Sequence, residues 1–174
     1  PIVDFTDPGG PYCESAAPFI LTGNPADANG VFIGNGITDN GDGTAQFNPA
    51  TSGSGSHQIT YTYTAGSGCV NSITKTITIY SSPSATIIGT DTVCTGTSNE
   101  FSIYLSGTPP WDITYTDGTN SFNVSTSVNP YKFTTNVAAT YSVTALNDAN
   151  GCNGTNFGNS AELVNWPQPS KPLV

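Results

Sequence analysis

Four cysteines are the residues of this 174-residue chain with the clearest chemical potential: Cys13, Cys69, Cys94 and Cys152. None of them forms a Cys-x-x-Cys pair, and the single histidine, His57, has no cysteine near it in sequence. Structural zinc sites draw their ligands from such closely spaced pairs, so zinc is poorly supported. An even number of cysteines in a polar chain with few lysines instead indicates disulfides. We therefore expect an oxidising, extracellular compartment.

Catalysis would require a nucleophile, a base or two carboxylates in a fixed arrangement. His57 ends the Gly-Ser-rich segment 53–57, which is typical of a surface turn, and no serine and acid are visibly placed to act with it. Asp112 and Asp117 flank one predicted strand, but an offset of five residues puts them on opposite faces. They do not match the paired carboxylates of a glycoside hydrolase. We predict no catalytic residues and no enzyme activity.

Calcium is the one cofactor that the loops suggest. Calcium takes six to eight oxygen ligands, often from acidic loops. None of the oxygen-rich loops has the spacing of an EF-hand, and Asp, Asn and Gly also form turns without any metal. Both interpretations stay open for three candidate ligands: Asp39, Asp42 and Asp148.

Several single residues have a functional and a structural interpretation. Lys75 falls between Ile73 and Ile77 on an apolar strand face, where it either forms an isopeptide bond or extends its ammonium group to the sandwich edge. Trp111 is predicted in the core rather than in a sugar-binding platform. Thr92 is a glycosylation candidate in Asp91-Thr92-Val93. The sequence leaves open that one of four other aromatic residues belongs to a ligand-binding face: Tyr12, Tyr80, Tyr104 and Tyr131.

Charge excludes two classes of partner. The net charge of −9 comes from 12 acidic residues against three lysines, and the chain has no arginine. Binding to a phosphate backbone requires clustered Lys and Arg side chains, so we expect no nucleic-acid partner. Anionic membrane surfaces are disfavoured for the same reason. No run of apolar residues approaches the 18 needed to span a bilayer, so we expect no membrane insertion by this segment.

Period-two alternation of apolar and polar residues predicts strands throughout the chain. Charged residues are only 9% of the chain, while Thr, Ser, Asn, Gly and Pro are abundant, and no segment is typical of an amphipathic helix. Strands with one apolar face, separated by turn residues, indicate antiparallel sheets packed face to face. The clearest apolar faces are Ile59/Tyr61/Tyr63, Ile73/Ile77/Ile79, Phe101/Ile103/Leu105 and Trp111/Ile113/Tyr115.

The chain also contains an internal repeat. Cys13 and Cys69 are 56 positions apart, and Cys94 and Cys152 are 58 apart. The second cysteine of each pair follows a tyrosine-bearing alternating strand and a glycine, and a further alternating segment comes after it. Two such copies predict two small sandwich domains. We place them at residues 1–81 and 82–165, with a linker to a following module at 166–174.

We predict the disulfides Cys13–Cys69 and Cys94–Cys152, because a domain of this size is marginally stable without a cross-link. Closing a loop of this length contributes roughly 4 kcal/mol on the chain-entropy model. One count argues against this pairing. About four strands separate the cysteines in the first copy and five in the second, and only an even number returns the chain to the same pole of a sandwich.

Several spaced motifs resemble a known family. The first copy has Cys13-Glu14, Gly34-Asn35-Gly36, Phe47-Asn48-Pro49-Ala50 and Gly68-Cys69, and the second has Val93-Cys94-Thr95-Gly96 and Asn150-Gly151-Cys152. Both copies resemble the immunoglobulin-like or PKD-like repeat modules of giant Bacteroidetes surface proteins. These include the mobile adhesins of gliding motility that the type IX secretion system exports.

The resemblance implies an all-β fold of two tandem immunoglobulin-like (PKD/FnIII-like) antiparallel sandwiches. It further implies a non-catalytic stalk or adhesive segment on the cell surface, whose partners are neighbouring repeat modules and a surface polysaccharide or other extracellular ligand. The alternative is an accessory module of a secreted enzyme, acting as a spacer or binding carbohydrate.

Overall fold

The alternating segments form strands in the computed structural model, which describes residues 2–168. The chain divides into two compact units, Pro1–Ser81 and Ser82–Val174, here called module 1 and module 2. The final strand ends at Trp166, so the linker predicted at 166–174 begins one residue too early. The rest of that predicted linker, from residue 169, lies outside the described residues.

Module 1 contains eight strands and one helical turn, because its Thr-rich alternating segments are broken by Gly, Pro and Asn. The strands are β1 (Asp4–Phe5), β2 (Tyr12–Cys13), β3 (Phe19–Asn24), β4 (Gly30–Gly34), β5 (Ile37–Asp39), β6 (Thr44–Phe47), β7 (Gly55–Thr64) and β8 (Val70–Tyr80), and the helical turn is α1 (Pro49–Ser52). They build two four-stranded sheets, ordered β1-β3-β6-β5 and β2-β8-β7-β4.

Between residues 82 and 168, module 2 contains eight further strands. They are β9 (Ala85–Ile88), β10 (Asp91–Cys94), β11 (Asn99–Leu105), β12 (Trp111–Thr116), β13 (Ser121–Thr126), β14 (Tyr131–Thr135), β15 (Ala139–Asn147) and β16 (Ala161–Trp166). The two sheets have three and five strands, ordered β14-β11-β9 and β10-β16-β15-β12-β13.

The strand order of both modules is immunoglobulin-like. In each module the first strand segment pairs with one sheet, as β1 with β3 and β9 with β11. The next segment crosses to the other sheet and pairs in parallel with the last strand, as β2 with β8 and β10 with β16. The remaining ladders are antiparallel, and two sheets of this order are the frame of the immunoglobulin sandwich. The predicted fold class is confirmed.

The cores include most of the apolar faces that alternation predicted, although Tyr63 and Ile73 are only partly buried. Ile59, Tyr61, Ile77 and Ile79 are buried in module 1. In module 2 the faces of β11 and β12 are buried together with Tyr141 and Leu163. Trp111 is 5% exposed and belongs to this core, as predicted, and its indole N–H donates to the carbonyl of Ser106 at 2.9 Å. Among residues 2–168, no helix is long and apolar enough to cross a membrane.

Candidate functional site

The first cysteine of each module lies where that module's last strand ends. Cys13 is opposite Tyr80, the last residue of β8, and the N–H of Glu14 donates to the carbonyl of Tyr80 at 2.9 Å. Cys94 is opposite Trp166, the last residue of β16. The N–H of its neighbour Thr95 donates to the carbonyl of Trp166 at 2.8 Å. Cys13 and Cys94 therefore occupy equivalent positions at the C-terminal pole of their modules.

The second cysteine of each module lies in a tight turn after the tyrosine-bearing strand. In module 1 the N–H of Ala65 donates to the carbonyl of Cys69 at 2.8 Å. In module 2 the N–H of Asp148 donates to the carbonyl of Cys152 at 3.2 Å. A glycine precedes each cysteine and closes the turn by donating back to Ala65 or Asp148. Cys69 and Cys152 are therefore equivalent too.

The predicted pairing of the cysteines is wrong. Five strands separate the two cysteines in both modules, so each pair lies at opposite poles. In module 1 the 11-residue strand β8 lies between them, a distance of about 35 Å at ~3.3 Å per residue, whereas a disulfide joins Cα atoms about 6 Å apart. Cys69 and Cys94 have free, exposed thiols. Cys13 and Cys152 are disulfide-bonded.

The three calcium candidates accept hydrogen bonds from the protein: Asp39 ends β5, Asp42 lies in the turn that follows it, and Asp148 follows β15 in module 2. Asp42 accepts from the hydroxyl and the N–H of Thr44 at 2.6 and 2.9 Å, and these bonds, the hydroxyl first, lower its pKa. Asp39 accepts from the N–H of Phe32 at 3.2 Å. Among residues 2–168, no three acidic, His or Cys side chains are grouped for a metal ion. Calcium binding stays a prediction from the sequence.

Asp148 organises the turn that carries Cys152. Its carboxylate is buried and accepts from the N–H groups of Thr108 at 3.0 Å, Asn150 at 3.0 Å and Cys152 at 3.1 Å. Three backbone donors on one buried carboxylate compensate the cost of removing it from water. The candidate metal ligand thus has a structural role within module 2.

The residues considered for catalysis hold turns or lie on strand surfaces. His57 lies in β7, paired with Ile77, and not in the surface turn predicted at 53–57; its Nε2 lies 2.8 Å from the carbonyl of Gly53. Asp112 is exposed on β12. Asp117 accepts from the N–H groups of Asn120 and Thr119, and these bonds, with Asn120 first, lower its pKa.

Lys75 fastens the first strand of module 1 to its last strand. Its ammonium nitrogen lies 2.9 Å from the carboxylate of Asp4 and 4.7 Å from the centroid of the Phe5 ring, and it donates to the carbonyl of Phe5. The ion pair with Lys75 lowers the pKa of Asp4. These contacts fit the edge-reaching interpretation of Lys75. Thr92, the glycosylation candidate, is exposed on β10, and modification there stays a prediction.

An aromatic cleft opens between the sheets of module 2, where β13 and β14 are the edge strands. It has a volume of about 240 Å³. Tyr115 and Phe122 are paired across the β12–β13 hairpin, with ring centroids 5.0 Å apart. Phe133 stacks on Tyr115 at 4.6 Å. The lining residues are Tyr115, Asp117, Phe122, Phe133, Thr134, Thr135, Val137 and Tyr141.

Polar groups surround the mouth of this cleft. The hydroxyl of Tyr141 donates to the carbonyl of Val137 at 2.9 Å and lies 3.1 Å from the hydroxyl of Thr135. Burial, followed by the neighbouring Tyr131, raises the pKa of Tyr115, so this phenol stays neutral. The cleft can therefore offer a ligand an apolar ring face, hydroxyl groups and the carboxylate of Asp117.

This cleft was not predicted from the sequence. Of the four candidate aromatic residues, Tyr131 lies beside Phe133 but does not line the cleft, and neither do Tyr12, Tyr80 and Tyr104. The available signal was the two aromatic residues at symmetric positions around the Asp117-Gly118 turn. In a hairpin such residues face each other across the strands.

No family profile and no curated protein matches the chain. Solved structures are similar at low scores. The insect immune protein hemolin is 12% identical with a TM-score of 0.48, covering 90% of this chain and 44% of its own. A 1.5-MDa bacterial ice-binding adhesin is 16% identical with a TM-score of 0.42, covering 94% and 65%. Surface protein SGBP-B of Bacteroides ovatus, solved with a mixed-linkage heptasaccharide, is 14% identical with a TM-score of 0.34, covering 95% and 48%.

This chain therefore spans less than two thirds of the length of those three proteins. The immunoglobulin-like assignment rests on the strand order of the two modules and not on these scores.

Proposed function

We propose that this chain is a non-catalytic spacer segment of a large extracellular surface protein. Its modules would set the distance between a cell and a distal adhesive region. The sequence resemblance extends the proposal to a bacterial cell-surface adhesin of the gliding-motility type. The alternative is that this chain is an accessory module of a secreted enzyme. The sequence that flanks this segment in its parent protein distinguishes these two origins, because further copies of the repeat favour the spacer.

The observation that carries the proposal is the position of the chain ends within a module. In module 2, a Cβ atom added to Gly107 would lie 2.9 Å from both Pro83 and Asp148, so the chain begins the module beside the Cys152 turn. It leaves after Trp166, at the pole that carries Cys94. Tension between the chain ends therefore passes along the strands.

The terminal strands are paired in the geometry that resists such tension. β10 and β16 run parallel over four residue pairs, from Asp91–Leu163 to Cys94–Trp166. When the ends of two parallel strands are pulled in opposite directions, their hydrogen bonds are sheared together instead of being opened one at a time. In module 1 the corresponding pair, β2 with β8, has two residue pairs.

Stretching single molecules through their termini tests this role. With a reductant present to open the disulfide bonding of Cys13 and Cys152, so that the force reaches both modules, we expect two unfolding events. Each releases roughly 25 nm of chain, with module 1 opening at the lower force. Thr95→Pro removes the N–H that bonds Trp166, so it should lower the force of the stronger event only. Thr95→Val is the control, because it removes the hydroxyl bond at 3.0 Å but keeps the N–H. Unfolding at one low force, unaffected by Thr95→Pro, would argue against a spacer.

The aromatic cleft favours a second candidate function, binding of a surface polysaccharide. A sugar ring presents C–H groups on its faces and hydroxyls at its rim. The first match the partly exposed ring of Phe122, which is 37% exposed, and the second match the hydroxyls of Thr135 and Tyr141. A neutral glycan suits a chain of net charge −9 better than an anionic one.

A glycan array, followed by calorimetry on any hit, tests this second function. Phe122→Ala should abolish binding, whereas Tyr104→Ala should leave it unchanged, because Tyr104 is an exposed aromatic residue of the same module outside the cleft. Equal binding by both variants would place the glycan elsewhere.

A further inference from the structure

We propose that Cys69 and Cys94 are the two halves of a covalent coupling site between copies of this repeat. Cys94 of one copy would form a disulfide with Cys69 of the copy that follows it. The partner is thus a second copy of the same kind of chain. This goes beyond the proposed spacer role, and it can fail while that role stands.

Both thiols are accessible for coupling. Cys69 and Cys94 are exposed, and neither is disulfide-bonded. Neither can be joined to the other cysteine of its own module, because about 30 Å or more of strand separates the two positions in each case. Any disulfide at these positions must therefore involve a cysteine from outside the module.

The repeat supplies the second observation. Cys94 has the backbone position of Cys13. In both cases the N–H of the next residue donates to the carbonyl of the last residue of the module's final strand. Cys69 has the backbone position of Cys152, because the same two backbone hydrogen bonds, one of them from the preceding glycine, close both turns. Cys13 and Cys152 are both disulfide-bonded. Each free thiol thus repeats a position that forms a disulfide elsewhere in the same chain.

The direction of the chain determines which thiols meet. Cys94 lies at the C-terminal pole, beside Trp166, where the chain leaves the module. Cys69 lies in the turn at the other end of its module, before β8 begins. In a head-to-tail series, a C-terminal pole meets an N-terminal pole. The expected bond is therefore Cys94 to Cys69, and not Cys69 to Cys69 or Cys94 to Cys94.

The coupling is an oxidation with a defined electron balance. Two thiols lose two protons and two electrons as the S–S bond forms. A small-molecule disulfide, such as oxidised glutathione, accepts the electron pair and leaves as two thiols. The exchange proceeds through a mixed disulfide, which requires exposed sulfurs. An oxidising extracellular compartment maintains such oxidants.

Two single-cysteine variants test the heterotypic pairing. Cys69→Ser keeps Cys94 as its free thiol, and Cys94→Ser keeps Cys69. Three samples, each variant alone and the two mixed, are incubated with oxidised and reduced glutathione. The products are separated on non-reducing gels. Peptide mass spectrometry then maps the cross-links. We expect at least about tenfold more dimer in the mixture than in either variant alone, because complementary poles raise the effective concentration of the two thiols. The unmodified chain should form a ladder of longer multimers.

Two outcomes would overturn the inference. One is dimerisation of each variant alone as efficiently as in the mixture, since random collision needs no complementary poles. The other is a mixture in which both thiols react with iodoacetamide but only glutathione-capped monomers form. The stretching experiment uses the monomeric chain, so it reports on the spacer role whichever result the mixing gives.

Discussion

The two modules share one repeat but assign their fifth strand, β5 or β13, to different sheets. In module 1, β5 leaves β4 and pairs with β6 in the sheet of the first strand. In module 2, β13 stays beside β12 over six residue pairs, in the sheet of the last strand. Two similar sequences thus give a four-on-four sandwich and a three-on-five sandwich. The cause lies in the turns that precede these strands.

The two turns have different chemistry. Gly36 has a φ of +77°, which suits glycine, and its carbonyl accepts from the N–H of Asn48 at 2.9 Å, so the chain is drawn towards the other sheet. The side chain of Asn35 donates to the carbonyl of Ser52 at 2.6 Å. In module 2, Asp117 accepts from the N–H of Asn120 at 2.6 Å and closes a hairpin. Side-chain bonds within a turn keep the strands together, and bonds to a distant segment separate them.

The largest loss of stability is expected from the core of module 1, which requires glycine at two positions beside Tyr61. Tyr61 is fully buried, and Cβ atoms added to Gly23 and Gly30 would lie 2.1 and 1.9 Å from its side chain. Gly30→Ala should therefore destabilise module 1 by about 3 kcal/mol, the upper end of overpacking. Gly66→Ala is the control, since nothing lies within 4 Å of its added carbon.

Two optical signals separate the modules in this test. Both tryptophans, Trp111 and Trp166, belong to module 2, so tryptophan fluorescence follows that module, while circular dichroism follows both. Gly30→Ala should lower the midpoint of an early dichroism transition and leave the fluorescence transition in place. A shift of the fluorescence transition would contradict independent unfolding of the modules.

A smaller effect is expected at the turn that carries the second cysteine. Asp148→Ala leaves the backbone donors of Thr108, Asn150 and Cys152 without their buried acceptor. We expect a loss of about 2 kcal/mol in the urea unfolding of module 2, measured by tryptophan fluorescence. Asp91→Ala is the control, because Asp91 is exposed and its carboxylate accepts only from the adjacent N–H of Thr92 at 2.7 Å. Equal losses would show that the buried bonds contribute nothing.

Sequence patterns predicted the core better than the connections. Alternation identified the buried faces of β7, β11 and β12, because a residue's face depends only on its neighbours in the strand. The disulfide prediction failed because it paired the two cysteines of each repeat for stability, although the five strands counted in the second copy argued against it. The count of about four in the first copy was one too low, since five strands lie between Cys13 and Cys69. One strand reverses the pole at which the next cysteine lies, so the correct count places both pairs at opposite poles.

The aromatic cleft could not be derived for a related reason. Tyr115 and Phe122 face each other only because β13 joins the sheet of β12. In module 1 the equivalent segment crosses to the other sheet. The choice depends on the N–H of Asn48, which donates to Gly36, and on the carbonyl of Ser52, which accepts from Asn35, and both lie more than ten residues later in the chain.

Acid should affect module 1 more than module 2. Hydrogen bonds and an ion pair lower the pKa of Asp4, Asp27 and Asp42 in module 1, and hydrogen bonds lower the pKa of Asp117 in module 2. A carboxyl group whose pKa is lowered in the folded state stabilises that state at pH values above 3.8, its usual pKa. This contribution is lost as the pH falls below 3.8 towards the lowered pKa. Urea unfolding at pH 7, 4 and 3 should show the dichroism transition of module 1 falling faster than the tryptophan transition of module 2. Parallel decreases would contradict the prediction.

The smallest effect is expected from a substitution that makes the turn carrying Cys69 resemble the turn carrying Cys152. Ala65 in module 1 occupies the position of Asp148 and makes the same two backbone bonds, without a carboxylate. Ala65→Asp should let a new carboxylate accept from the N–H groups that follow it and stabilise module 1 by about 0.5 kcal/mol. Ala65→Asn is the control, because it keeps one oxygen acceptor without adding charge to a chain of net charge −9. The gain stays below the loss from Asp148→Ala, because the module 1 turn is exposed at Gly66, Ser67 and Gly68, where water already satisfies those donors. A gain as large as that loss would mean that the carboxylate, and not its burial, accounts for the stability of the turn.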